Sequence, residues 1–158
     1  MRTLLAALTA FMLFAMPAGA LTDRHNVAVT DDVKLFREYL NLAERGDAQS
    51  QFNVGGRLSR GEGVGRDIAG AVYWYRRAAV QGFVPAQTIL GIFHSGYQDF
   101  PTDTVRSYAW LSIAIEQGST HAKRARDIVL TLMTPEQIAR SKELSSELWE
   151  KYVVPSQK

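Results

Sequence analysis

The sequence contains the stretch AVYWYRRAAVQG at residues 71–82, and a related stretch, SYAWLSIAIEQG, follows 36 positions later at residues 107–118. The same offset relates further positions, in order, along a whole unit: Gly46, Gly82 and Gly118, Gln51 and Gln87, Gly55 and Gly91, Ser59 and Ser95, Asp67 and Asp103, Trp74 and Trp110, Ala78 and Ala114, and Gln81 and Gln117. A period in the thirties built from helix-compatible residues is typical of stacked helix-turn-helix units. The sequence therefore predicts an all-α fold, a short α-solenoid with repeats at about residues 46–81 and 82–117.

Each repeat is predicted to contain two helices separated by a turn. The glycines between residues 61 and 65 cannot continue a helix, and Asp67 and Asp103 are strong N-caps for the second helix of each repeat. Ala71 and Ala78 lie on one face of that helix, where small side chains let two backbones approach closely. The predicted helices span about residues 49–59, 68–81, 86–95 and 104–117.

The two ends of the array are predicted to be capping helices. An amphipathic helix at residues 32–44 precedes the repeats, and a helix at residues 121–132 begins a third unit in which Asp127 replaces the glycine that would seat another neighbour. Thr134 and Gln137 form a capping box for a final helix that extends to about Lys151. The predicted domain covers residues 31–152, with a C-terminal cap at 119–152 and flexible segments at 21–30 and 153–158.

Part of the first repeat carries a family resemblance. Residues 48–55 (AQSQFNVG), 61–64 (GEGV) and 71–82, together with Asp67, resemble a Sel-1-like repeat, which is related to the tetratricopeptide repeats. The second copy departs from this pattern, because residues 97–101 (YQDFP) replace the glycine turn and Leu111 replaces the second tyrosine. The resemblance covers about residues 46–118 and implies a right-handed superhelix with a scaffolding role, usually in bacterial envelope or signalling complexes.

The first twenty residues have the organisation of a secretory signal peptide. A basic start at Arg2 precedes an apolar run at residues 4–16, and Ala18-Gly19-Ala20 provides a small-residue cleavage site. The run is too short to span a bilayer, which needs about 20 apolar residues; the alternative interpretation is a buried first helix. Cleavage after Ala20 predicts a periplasmic or secreted protein with no membrane span, and no cysteine is present to be lipidated.

Composition excludes several function classes. The absence of cysteine among the 158 residues excludes disulfides, a thiolate zinc site and a cysteine nucleophile. Eighteen Lys and Arg against sixteen Asp and Glu do not form the basic stripe of a nucleic-acid binder. His25, His94 and His121 have no partners at metal-ligand spacing, and no catalytic or nucleotide-binding motif is present. We therefore expect no catalytic residue, cofactor or metal.

A comparison of the two repeats suggests a binding surface. First helices line the concave face in repeats of this kind, and their outer positions change from polar in the first repeat to apolar in the second. We hypothesise that Ile92 and Phe93 form the floor of a groove flanked by Arg57 and Arg60. The alternative is that the final helix, through Leu148 or Trp149, covers both apolar residues. The candidate partner-binding residues are Asn53, Arg57, Arg60, Ile89, Ile92 and Phe93.

These observations favour a non-catalytic, exported adaptor that binds another protein or peptide in the cell envelope. Two alternatives remain open. Tyr73, Tyr97 and the arginines would suit a glycan or peptidoglycan binder. Cysteine-rich relatives have been associated with weak β-lactam hydrolysis, although the disulfide-bonded repeats of those relatives are absent from this chain. The identity of the partner and the oligomeric state are open at this point.

Overall fold

The computed structural model describes residues 22–153 and residue 155, and this part of the chain is helical with no β-strand. The predicted signal peptide at residues 1–20 lies outside the described residues. Two short elements accompany the α-helices: a 3-10 helix at Tyr97–Asp99 and a π-helical turn at Trp149–Val153. The seven α-helices are α1 (Thr22–Glu44), α2 (Ala48–Arg60), α3 (Ile68–Ala79), α4 (Val84–His94), α5 (Thr104–Glu116), α6 (Thr120–Leu130) and α7 (Pro135–Leu148).

Short polar side chains begin α3, α5 and α7 where the sequence predicts. The Asp67 carboxylate accepts a hydrogen bond from the backbone N–H of Gly70 (2.9 Å), and Asp103 accepts one from Arg106 at the same distance (2.9 Å). Thr134 and Gln137 form the expected reciprocal capping box at the start of α7. Each cap satisfies an N–H group that has no partner within the helix, so these ends are determined locally.

The paired helices α2–α3 and α4–α5 are two copies of one hairpin, and glutamines join them to their neighbours. Buried Gln51 donates through Nε2 to the carbonyl oxygen of Ala43 (3.1 Å) and accepts from Gln81 through Oε1 (2.8 Å). In the second copy, Gln87 donates to Ala79 (3.2 Å) and accepts from Gln117 (2.7 Å). The glutamines that match at the repeat offset therefore attach each hairpin to the end of the preceding helix.

Glycines in the first helix of each hairpin allow the second helix to approach closely. A Cβ atom at Gly55 would lie 2.9 Å from the ring of Tyr75, and one at Gly91 would lie 2.6 Å from Cγ of Leu111. The glycine therefore contacts the second helix of its own unit. The expectation that it contacts a neighbouring unit is wrong. In α6 this position is Asp127, and the next helix, α7, packs along α5.

The ends of the domain differ from the predicted boundaries. Helix α1 begins at Thr22, so residues 22–30, which are predicted to be flexible, continue this helix. At the other end Val153 is fully buried, so the predicted flexible tail at 153–158 does not begin at that residue. Residues 154 and 156–158 lie outside the described part of the chain.

The two repeat tryptophans differ in how far they are covered. Trp110 is buried, and its ring stacks on that of Tyr152 with 6.3 Å between the centroids. Trp74, at the same repeat position, is only half-buried, and the Arg77 guanidinium lies 5.0 Å from its ring centroid. The C-terminal segment after α7 therefore covers the second repeat at this position and leaves the first partly open.

In the described part of the chain, none of the helices has the length and hydropathy that a membrane span requires.

Candidate binding groove

Four of the six predicted partner-binding residues line one groove. Asn53, Arg57 and Arg60 from α2 meet Ile89 from α4 around a depression of about 280 Å³. Aromatic side chains form much of its remaining wall. The complete lining is Tyr39, Phe52, Asn53, Gly56, Arg57, Arg60, Glu62, Tyr75 and Ile89. The groove is thus bounded by α1, by both helices of the first hairpin and by the first helix of the second.

Phe93 does not lie on the floor of this groove, and that part of the hypothesis is wrong. Its side chain is only 2% exposed. Its ring centroid lies 5.7 Å from that of Tyr75, 5.5 Å from Tyr97 and 6.1 Å from Phe100. The aromatic turn of its own repeat, and not the final helix, supplies two of these three rings. Phe93 is therefore a core residue.

Ile92 also lies away from the groove. It is partly buried and packs against a second hydrophobic cluster that includes Tyr108 and Leu111 of α5 and Val129 of α6. Because Ile89 lines the groove while Ile92 contacts this other cluster, the two isoleucines do not share one surface. The predicted apolar floor is consequently reduced to Ile89.

Arg57 is a structural residue at the edge of the groove. It is 9% exposed, and its Nη1 contacts the Asp32 carboxylate of α1 at 3.1 Å. The same nitrogen donates to the backbone carbonyl of Glu62 (3.2 Å). Arg57 and Phe93 occupy equivalent positions in the two repeats, and both are covered by neighbouring backbone or rings. This position faces the turn of its own repeat, which explains why neither side chain is free.

The charged rim of the groove is formed by Arg60 and Glu62. Arg60 Nε contacts the Glu62 carboxylate at 2.5 Å, and Nη2 contacts its second oxygen at 3.0 Å. These hydrogen bonds lower the pKa of Glu62 and raise that of Arg60. Both side chains remain substantially exposed to solvent. A partner can therefore reach this pair without unfolding any helix.

Sequence reasoning missed the aromatic wall of the groove. The hydrophobic period predicts that Tyr39 and Phe52 lie on the apolar, core-facing sides of the first two helices. Both are only partly buried in the structure, and Phe52 lies 5.5 Å from Tyr75 between ring centroids. The hydrophobic period identifies an apolar face but not how much of it the neighbouring helices leave open, so the sequence carried no signal for this exposure.

His94 has no ligand-binding arrangement. It occupies the position of Leu58 in the first repeat, is 3% exposed, and packs edge-on against Phe100. Neither ring nitrogen has a hydrogen-bond partner. Burial lowers the pKa of His94 to about 4, so the ring is neutral at pH 7. No group of three or more potential metal ligands is found among the described residues.

Hairpins that recur every 36 residues, joined by matched glutamines and closely packed at matched glycines, define a tandem helical-repeat protein with a short α-solenoid fold. The Sel1 repeat family matches residues 48–83 and 84–119. The chain therefore contains two Sel1 repeats, in the part of the sequence where the two hairpins are predicted.

Among the solved structures that are similar to this chain, two are Sel1-repeat or SLR-fold proteins of known source. A protective antigen of uropathogenic Escherichia coli with an SLR fold is 26% identical, covers 86% of this chain and has a TM-score of 0.68. The chain spans only 33% of the length of that protein. A Sel1 repeat protein from Oxalobacter formigenes is 29% identical over 59% of this chain and 38% of its own, with a TM-score of 0.55. Among curated proteins, no significant match is found.

Proposed function

We propose that this chain is an exported, non-catalytic Sel1-repeat protein that binds another protein of the cell envelope through the groove between α1, α2 and α4. The observation that carries this proposal is the combination of partly exposed rings, Tyr39 and Phe52, with the accessible charged pair Arg60–Glu62. Sel1 repeats commonly serve protein–protein interaction, which fits such a surface.

The groove suits an extended peptide segment of the partner. An apolar side chain of that segment packs on Tyr39, Phe52 and Ile89, and each large side chain buried in this way contributes about 1.5–3 kcal/mol. A carboxylate next to it replaces Glu62 as the partner of the Arg60 guanidinium, which donates two parallel hydrogen bonds to an acidic group. The expected ligand is therefore a protein segment with an acidic residue beside an apolar one.

Export rests on the signal-peptide pattern of residues 1–20. The similar E. coli protein is a protective antigen, which is compatible with an extracytoplasmic location for this chain. Cell fractionation followed by N-terminal sequencing tests this part. A mature chain that begins at Leu21 in the periplasm or medium supports it, and an intact Met1 in the cytoplasm contradicts it.

Affinity capture from the native envelope tests the groove. Arg60→Asp reverses the exposed rim charge, and Arg106→Asp is the matched control because both side chains are exposed to a similar degree, 57% and 58%, and each is paired with an acidic residue. We expect Arg60→Asp to reduce recovery of the partner about tenfold while Arg106→Asp leaves it unchanged. Equal recovery by both variants contradicts the groove as the binding surface.

Two further measurements address the alternatives. Retention on purified cell-wall glycan that is lost in Arg60→Asp assigns the groove to a glycan and contradicts a protein partner. Turnover of the chromogenic β-lactam nitrocefin by the purified protein contradicts the non-catalytic part of the proposal.

A further inference from the structure

A second, polar cleft lies at the opposite end of the array, between α5, α6 and α7. It arises because α7 packs along α5 and leaves a space of about 410 Å³ beside α6. Side chains from all three helices and from the π-helical turn face this space, among them Ser112, Glu116, Arg126, Lys142, Trp149 and Glu150. None of them belongs to the groove described above, so this cleft is separate from the proposed partner-binding surface.

Two buried polar atoms in the cleft lack hydrogen-bond partners. The Ser112 hydroxyl and the Nε atom of Arg126 are both shielded from solvent and unpaired. Ser112 is only 7% exposed as a residue. Folded proteins pair nearly all buried donors, because an unpaired one loses its hydration without compensation. Both residues line the same cleft, so a small rotation of each side chain would present these unpaired groups to a ligand that accepts hydrogen bonds there.

The repeat comparison shows that the hydroxyl is not required for packing. Ser112 occupies the position of Arg76 in the first repeat, and Arg76 is exposed. Where α7 covers this position in the second repeat, an alanine would fill the space without an unpaired polar group. Other atoms of the Arg126 guanidinium do have neighbours. Its Nη2 lies 3.6 Å from the Asp127 carboxylate, and its Cζ lies 5.8 Å from the centroid of the Tyr108 ring.

The charges around the cleft identify the chemical class of the ligand. Arg126 and Lys142 provide two positive charges, and Glu116 and Glu150 provide two negative ones. A carboxylate accepts hydrogen bonds from a guanidinium and a hydroxyl, whereas a dianion such as phosphate is repelled by the two glutamates. An ammonium group in turn pairs with a glutamate. A volume of about 410 Å³ is within the range of small-molecule sites.

We propose that this cleft binds a small zwitterion of the amino acid or dipeptide class. Arg126 and Ser112 hold its carboxylate, Glu116 and Glu150 face its ammonium group, and the Trp149 ring packs against its apolar part. The site belongs to this chain's particular C-terminal cap, since it requires α7 to lie on α5.

Ligand titration followed by NMR tests the chemical class. The probes are the free amino acids and the dipeptide Ala-Ala, compared with N-acetyl-Ala-Ala, which lacks the ammonium group, and Ala-Ala amide, which lacks the carboxylate. We expect a zwitterionic probe to shift the signals of the Ser112 amide and the Trp149 indole, and each blocked form to bind at least tenfold more weakly. Binding by none of the zwitterions, or equal binding by inorganic phosphate, overturns the proposal.

Two variants test the residues. Ser112→Ala and Arg126→Gln should each weaken binding of the zwitterion at least tenfold, while Arg124→Gln, which changes an exposed arginine on the same helix, should not. Ser112→Ala should unfold at the same temperature as the wild type or higher, because it removes an unpaired buried hydroxyl. Unchanged affinity in Ser112→Ala, or a marked loss of its thermal stability, overturns the assignment. Ser112 would then be a packing residue and not a ligand contact.

Discussion

Replacing Gly91 with alanine tests how closely the helices of one hairpin must pack. The added Cβ would lie 2.6 Å from Cγ, 2.9 Å from Cδ2 and 3.2 Å from the backbone nitrogen of Leu111. Leu111 is fully buried, so it has little room to move. Overpacking a core costs about 1–3 kcal/mol, whereas alanine is favoured over glycine in a helix by about 1 kcal/mol. A contact of 2.6 Å lies at the upper end of that overpacking range, about 2–3 kcal/mol, so we expect a net loss of about 1–2 kcal/mol in the free energy of unfolding.

The matched control is Gly56→Ala in α2, where the nearest atoms to the new Cβ are the guanidinium nitrogens of Arg60 at 3.3 Å. That flexible, exposed side chain can move away, so the helix preference remains and the variant should be more stable by up to about 1 kcal/mol. Urea unfolding followed by circular dichroism measures both variants. If Gly91→Ala is as stable as the wild type, or if both variants change in the same direction, the close-packing explanation is refuted.

Three further predictions concern stability. The pKa of His94 is lowered to about 4 from 6.5, so the unfolded chain binds a proton that the folded chain excludes, and stability falls as pH decreases from 6.5 to 4 by at most about 3 kcal/mol. His94→Leu should remove this loss in urea titrations at several pH values, and His121→Gln should retain it. Arg57→Ala should lower the free energy of unfolding by about 1–3 kcal/mol, and Arg60→Ala by less than about 0.5 kcal/mol; similar losses would contradict the structural role of Arg57. Thr134→Ala should cost about 1 kcal/mol and increase amide hydrogen exchange at the start of α7.

The starts of α3, α5 and α7 were predictable because their signals are local. Asp67, Asp103 and Thr134 each bond to a backbone N–H three residues later, so the residue type alone identifies the boundary. The repeat period was equally readable, since helices related by 36 residues keep the same side chains where they make the same contacts. These features account for the agreement in fold class and in the order of the helices.

The packing of α7 and the environment of Phe93 were not predictable, because both depend on residues distant in sequence or on turn geometry. No local pattern distinguishes a helix that pairs with α6 from one that lies on α5. Likewise, the exposure of Phe93 is decided by the path of residues 97–100, whose non-glycine turn places Gln98 at a φ of +55°. For the groove, the sequence supplied the polar positions Asn53 and Arg60 but not the open aromatic wall.

The glutamine pairs have a consequence for the length of such proteins. Each hairpin begins with a glutamine whose side-chain amide donates to the helix before it, and ends with a backbone carbonyl that can accept from the next hairpin. An additional 36-residue copy inserted between residues 83 and 84 would therefore find hydrogen-bond partners on both sides. The next position in that series after Gln87 is Lys123 in α6, so the series of glutamines that bind the preceding helix ends there. Repeats can therefore be added by duplication in the middle of the array but not after its C-terminal cap. Such additions would lengthen the binding face and leave both ends of the domain unchanged.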